Sequence, residues 1–373
     1  MIKLNYPENN VSISLLTEAQ QDFLAHQNAG DHVGDAECCY GWLDERYSEG
    51  FEKNNIGTPL EINHTTPAKI FISWTSNNPS HAVLSFDDAF SGFSERFPNN
   101  PMPADILSCE CTGNTYTAII TNLFADTVYY WKVVSDDFSE ESETRTFITE
   151  AGYPRSLFIH GTTNVRDLGG LCTYDGKRIK QGCIYRGSSF ENIVDNGDPF
   201  TLTERGKNTV ANTLKIKNEL EIRLNSVGVT SESVVAPKVK FNRIISRGYE
   251  LFYEDHMAEN RGKLIEFFAD ESNYPIYFHC AIGADRTGTL AIFLLLLLGV
   301  KKEQIALDYN ITSLTISEKR VSTIDEYYGM FMDGYDGSEP KETVVMRNAA
   351  KYLVEKSGIS YETIEKLRKN LLE

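Results

Sequence analysis

What the chain lacks narrows its function first. It has no excess of positive charge: 36 Lys and Arg stand against 53 Asp and Glu, a formal net charge of −17. That balance argues against nucleic acid or an anionic membrane as the main partner. No apolar run approaches the roughly 20 residues that span a bilayer. The longest, Leu290 to Val300, is interrupted only by Gly299 and reads as a helix buried on all sides. The N-terminus lacks a basic stretch followed by an apolar core, so no signal peptide is visible. A cytoplasmic location is expected, with export open if the natural chain is longer. The seven cysteines, Cys38, Cys39, Cys109, Cys111, Cys172, Cys183 and Cys280, lack the regular spacing of a disulfide framework. No Cys or His pair follows Cys109 and Cys111 at zinc-ligand spacing.

At 373 residues the chain suits two domains of about 150 residues or more each. Residues 1–55 are weakly patterned, with a helix starting near Thr17 and loops around Cys38, Cys39 and Trp42, and no chemistry is assigned to them. From 56 to 150 the pattern becomes β-branched and aromatic strands separated by turn residues, as in Lys69–Trp74, Ala82–Phe86, Thr115–Ile120, Val128–Val134 and Thr144–Thr149. Some 95 residues of this kind predict an all-β sandwich. Tyr129, Tyr130 and Trp131 read as its core and face aromatics in preference to a carbohydrate platform. Glycine and proline in 150–156 mark a linker. Residues 151–373 alternate strands with helices, which predicts an α/β unit with a mostly parallel sheet flanked by helices.

The chemistry concentrates between Pro275 and Gly288. A buried strand ends in His279-Cys280, turns through Ala281, Ile282, Gly283, Ala284 and Asp285, and enters a helix at Arg286-Thr287-Gly288. Such a loop can wrap backbone N–H donors around a tetrahedral oxyanion, with the helix N-terminus pointing into it. Arg286 adds a planar fork that holds two phosphate oxygens at once. The same positive field favours the thiolate of Cys280. A thiolate beneath a phosphoryl group is a nucleophile for covalent phosphoryl transfer that needs no metal or cofactor.

His279, Cys280, Gly283, Arg286 and Thr287 match His-Cys, five residues, Arg, Ser/Thr, and the chain here resembles the cysteine-dependent protein tyrosine phosphatase superfamily. Upstream, Thr163-Asn-Val-Arg-Asp-Leu-Gly-Gly, a hairpin turning at Asp175–Gly176 and Tyr185-Arg186-Gly187 resemble the opening of the atypical bacterial and fungal tyrosine phosphatases. Val165 replaces Phe and Gly187 replaces Ser. The resemblance implies that Thr287 stabilises the departing thiolate, and that His279, Asn164, Arg166 and Asp167 brace the phosphate loop. Glu221-Ile222-Arg223 stands where the family carries Asp-Leu-Arg. Leu123 through Val134, with Thr146–Thr149, resembles the last strands of a fibronectin type III domain.

Protonating the leaving oxygen needs an acid within hydrogen-bond reach. Asp285, inside the loop, and Asp255, on an irregular segment where related phosphatases carry a mobile acid loop, both qualify, with Glu254 adjacent to the second. Asp285 is preferred because the motif fixes its place. Relatives active on phosphoinositides often carry a lysine where Ala284 stands, so a phosphorylated protein or small phosphate monoester of the phosphotyrosine type is the expected substrate. An inositol phosphate phosphatase, a phospho-binding pseudophosphatase and a rhodanese-like sulfurtransferase are the rival readings, and the β-sandwich has no assigned partner.

Overall fold

The computed structural model describes residues 1–28, 65–90, 105–107, 109–191, 201–224, 231–314 and 323–373. The loops expected around Cys38, Cys39 and Trp42 lie outside the described residues.

The N-terminal part is β-rich. Its strands are β1 (Lys3–Tyr6), β2 (Val11–Ile13), β3 (Ile70–Thr75), β4 (Ser80–Ser85), β5 (Asp105–Leu107), β6 (Cys109–Thr112), β7 (Thr115–Ile120), β8 (Thr127–Ser135) and β9 (Arg145–Thr149). They form two sheets, β1-β3-β7-β6 and β2-β9-β8-β4-β5. Every pairing is antiparallel except β2 with β9. Alternation decides which side chains go inward: Ile70, Ile72 and Trp74 on β3 and Tyr129, Trp131 and Val133 on β8 are buried, while Phe71 and Val128 are exposed. The two inward faces share one apolar core.

The described part of residues 1–55, left unassigned from the sequence, contributes two strands to this unit. Leu4 on β1 and Ile13 on β2 are buried in the shared core, and the strands pair with β3 and β9. Strands of three or four residues are too short to set a period-2 signal in the sequence.

The second unit holds β10 (Arg155–Ser156), β11 (Arg166–Asp167), β12 (Ile184–Gly187), β13 (Asn218–Glu221), β14 (Lys240–Arg243) and β15 (Ile276–His279), ordered β10-β11-β12-β15-β13-β14. β12, β15, β13 and β14 run parallel, and β10 and β11 join antiparallel at one edge, so the sheet is mixed. β12, β13 and β15 are buried along their whole length. Both faces are covered, hence the continuous rather than alternating burial. The helix Asp285–Leu298 buries every residue from Thr287 to Leu298 and ends at the left-handed Gly299, as its all-round apolar sequence predicts. Helices Lys302–Asn310, Lys341–Ser357 and Tyr361–Leu371 pack against it. No helix among the described residues is long and apolar enough to cross a membrane.

The two units are joined by buried polar contacts. Asn122 and Phe158 bond reciprocally, Nδ2 to O at 2.9 Å and N to Oδ1 at 2.6 Å. Gln181 does the same with the backbone of Ala125, both at 2.9 Å. Gln20 Nε2 donates to Ser156 Oγ at 3.1 Å.

Candidate active site

β15 lies between β12 and β13, so its C-terminal end delivers Cys280 to the middle of the sheet's carboxyl edge. Cys280 is buried, and the loop 281–284 then turns into the helix beginning at Asp285. Gly283 has φ of +73°, and a Cβ there would stand 2.3 Å from the Gly187 carbonyl oxygen. Only glycine satisfies both constraints.

Three successive loop carbonyls are tied outward. Ser189 N donates to the Ala281 carbonyl at 2.9 Å, Asn164 Nδ2 to that of Ile282 at 3.2 Å, and Arg186 Nη2 to that of Gly283 at 2.8 Å. In a trans peptide the carbonyl and the next N–H point in opposite directions. The N–H groups of Ile282, Gly283 and Ala284 are therefore turned into the loop, where no described protein group takes them up. Arg286 is half-buried on the first turn of the helix, and its guanidinium donates to no group among the described residues. The Thr287 hydroxyl is buried without a partner among the described residues. N–H donors turned into the loop, a guanidinium with no acceptor among the described residues and the Cys280 thiol at the loop's start can together receive a tetrahedral anion.

The bracing continues below the loop. Asp308 is fully buried and receives Arg166 Nε at 2.7 Å on one oxygen and Arg186 Nη1 at 2.5 Å on the other. Burial opposes its ionisation, but the Arg166 and Arg186 guanidiniums outweigh that and hold its carboxyl below the usual range. Arg166 also donates to the Asn164 side-chain oxygen at 2.5 Å and to Thr312 Oγ1 at 3.1 Å. Asn164 is thereby held where it reaches the Ile282 carbonyl.

His279 sits on the opposite flank. Its Nε2 is 2.9 Å from Glu219 Oε1 and its Nδ1 is 3.0 Å from the Cys280 carbonyl. Burial disfavours the imidazolium, but the charge of Glu221 and the hydrogen bond to Glu219 raise its pKa above the ordinary value. Glu221 is itself clamped by Arg223, whose Nε lies 2.8 Å from Oε2. Glu221, the last residue of β13, and Arg223 two residues on thus form a buried ion pair.

Asp167 is a correction. It was expected to brace the phosphate loop beside Arg166, but β11 turns the two neighbours to opposite faces. Asp167 accepts from Arg155 and from the N–H groups of Gly169 and Gly182, at 2.8 and 2.6 Å. It organises the junction with the N-terminal unit. Asp285 is half-buried as the first residue of the helix. Asp255 lies on the short helical turn Asp255–Met257, its side chain 83% exposed and its carboxylate 3.5 Å from Lys356 Nζ. That partner belongs to the helix Lys341–Ser357, not to the phosphate loop. Gly187, noted as a departure from the family's serine, is explained by packing, since a Cβ there would stand 2.3 Å from the Tyr277 hydroxyl.

Arg186 was quoted from the sequence without a role, and Asp308 was assigned none. A buried arginine in a central strand was the signal for the first; nothing local marked the second.

Residues 157–373 match the sequence profile described as the tyrosine phosphatase family. The chain belongs to this family. A Cupriavidus necator protein named as a tyrosine-protein phosphatase is 26% identical over 163 residues, which is 39% of this chain. The chain spans 59% of the length of that curated relative. Among solved structures, the catalytic core of the PP-IP phosphatase Siw14 from S. cerevisiae in complex with citrate is 20% identical, covering 45% of this chain and 86% of that one with a TM-score of 0.29. A second Siw14 catalytic core, also 20% identical, covers 44% and 88% with a TM-score of 0.27. Superpositions this loose carry no weight for substrate or mechanism. In this tyrosine phosphatase family member the matched segment begins after Tyr153 and Arg155, so both residues lie outside it.

Proposed function

We propose that the protein is a cysteine-dependent phosphatase of the atypical tyrosine phosphatase type, hydrolysing phosphate monoesters and most readily phosphotyrosine in proteins. The observation that carries this reading is the set of three loop carbonyls tied outward next to Cys280, with Arg286 left without an acceptor among the described residues. The N–H groups of 281–286 and the Arg286 fork would hold the three non-bridging oxygens. The Cys280 thiolate attacks phosphorus, the S–P bond forms, and the P–O ester bond breaks with its electron pair going to the leaving oxygen. Asp285 gives that oxygen its proton. Water then attacks the phosphocysteine and returns a proton to Asp285. The thiolate departs with the Thr287 hydroxyl, which has no partner among the described residues, available to donate to it.

Asp285 is assigned as the acid because it belongs to the loop, whereas Asp255 is paired with Lys356 on another helix. His279, Asn164 and Arg166 act by bracing. The substrate class follows from Ala284, which leaves the loop without the extra cation suited to polyphosphorylated inositols, and from the name of the Cupriavidus necator relative.

For the N-terminal unit the reading is a fibronectin type III-like β-sandwich with its boundary to the catalytic unit in 150–156. Support comes from the Tyr129 hydroxyl, which accepts from the Phe124 N–H at 2.8 Å and ties the start of β8 to the preceding corner. The activity is tested with p-nitrophenyl phosphate in the presence of chelator and reductant. Turnover abolished by Cys280→Ser is expected; wild-type protein that binds vanadate without turnover would make the module a phospho-binding one.

A further inference from the structure

The segment joining the two units enters the network beneath the phosphate loop. Tyr153, before the family-matched residues, is buried and donates its hydroxyl to Asp308 Oδ1 at 2.5 Å. Asp308 is the carboxylate that also holds Arg186, and Arg186 holds the Gly283 carbonyl. Two residues on, Arg155 pairs with Asp167 through one nitrogen. Its other donors reach back into the N-terminal unit, Nε to the Leu123 carbonyl at 2.9 Å and Nη2 to the Asn122 carbonyl at 3.1 Å. Its guanidinium also covers the Phe124 ring, 4.1 Å from the centroid. Arg155 and Ser156 pair as β10 with Asp167 and Arg166 on β11. The joining segment is thus clamped to the β-rich unit on one side and to the loop-bracing carboxylate on the other.

We propose that Tyr153 is a positioning residue for the phosphate loop, acting through Asp308 and Arg186, and that docking of the N-terminal β-rich unit holds it in place. The N-terminal unit is on this account part of the frame of the anion site. A carboxylate between two guanidiniums has more than one way to share its lone pairs, and the Tyr153 hydroxyl fixes Oδ1. Burial, then the neighbouring Asp308, keeps that hydroxyl protonated and hence a donor. Without it, Oδ1 is left to Arg166 alone, Arg186 follows the carboxylate, and the Gly283 carbonyl loses its fixed partner. The N–H group of Ala284 then loses its aim.

The kinetic side of this inference rests on the phosphatase reading, whereas its binding side does not. The test is orthovanadate affinity by calorimetry on the full chain, together with p-nitrophenyl phosphate kinetics and thermal melting, for wild type, Tyr153→Phe and Arg178→Ala. Arg178 forms an exposed ion pair with Asp126 between the same two units, 2.8 Å apart, and lies outside the joining segment. Tyr153→Phe is expected to weaken vanadate binding and raise KM by roughly tenfold, the size of one charge-assisted hydrogen bond, with kcat little changed. Arg178→Ala keeps wild-type affinity. A folded Tyr153→Phe protein with wild-type vanadate affinity overturns the proposal, as does an equal loss in Arg178→Ala. If the wild type binds vanadate without turnover, the phosphatase reading fails while the affinity comparison still decides the role of Tyr153. A wild type that binds no vanadate overturns both. Should Tyr153→Phe not fold, Asn122→Gly releases the joining segment at Phe158 and is read the same way, with unchanged affinity overturning the proposal.

Discussion

Arg186 and Asp308 meet in full burial, Nη1 to Oδ2 at 2.5 Å, while the other arm of the same guanidinium holds the Gly283 carbonyl at 2.8 Å. One side chain thus converts a buried ion pair into the shape of an anion-binding loop. Asp308→Asn should leave two buried guanidiniums short of a counter-charge and cost about 3–5 kcal/mol in urea unfolding at neutral pH. Because the folded protein holds this carboxyl below its ordinary range, its contribution is full at neutral pH and is lost as the pH falls through the folded value. The gap between variant and wild type should therefore narrow below about pH 4.

Gly283→Ala should abolish vanadate binding. The substitution demands a left-handed backbone and puts a methyl 2.3 Å from the Gly187 carbonyl oxygen, so calorimetry should detect no affinity. Local strain of about 1–3 kcal/mol should appear as a lower melting temperature.

Asp285→Asn and Asp255→Asn separate the two acids. Loss of the acid should slow phenyl phosphate, with its poor leaving group, by about 10²–10⁴ and p-nitrophenyl phosphate far less. That signature belongs to Asp285→Asn; Asp255→Asn should leave both rates near wild type. The reverse result transfers the role to Asp255.

His279 gives stability an alkaline dependence. Its folded pKa is raised above 6.5 despite burial, through Glu221 and Glu219, so the contribution is full below that pH and lost as the pH climbs through the folded value. Glu219→Gln should flatten the fall in melting temperature between about pH 6 and 9, with the two curves closest at the alkaline end. Parallel curves would show that the pair is not coupled to folding.

The loop from His279 to Gly288 was legible because its parts are contiguous: strand, turn and helix impose one spacing on the residues that need it. The buried helix Asp285–Leu298 was legible for the same local reason. Asp308 was not, because its partners Arg166 and Arg186 are 142 and 122 residues away. Asp167 was misplaced by its adjacency to Arg166, since neighbours on a strand face opposite ways. β1 and β2 escaped because four and three residues are too few to establish an alternation.

The most direct test of the central claim is a denaturing quench of the protein during turnover of a phosphotyrosyl peptide carrying radiolabelled phosphate. The account predicts label covalently bound to the chain, mapping to the peptide that contains Cys280 and absent in Cys280→Ser. Turnover that survives Cys280→Ser, or label on any other residue, would contradict it.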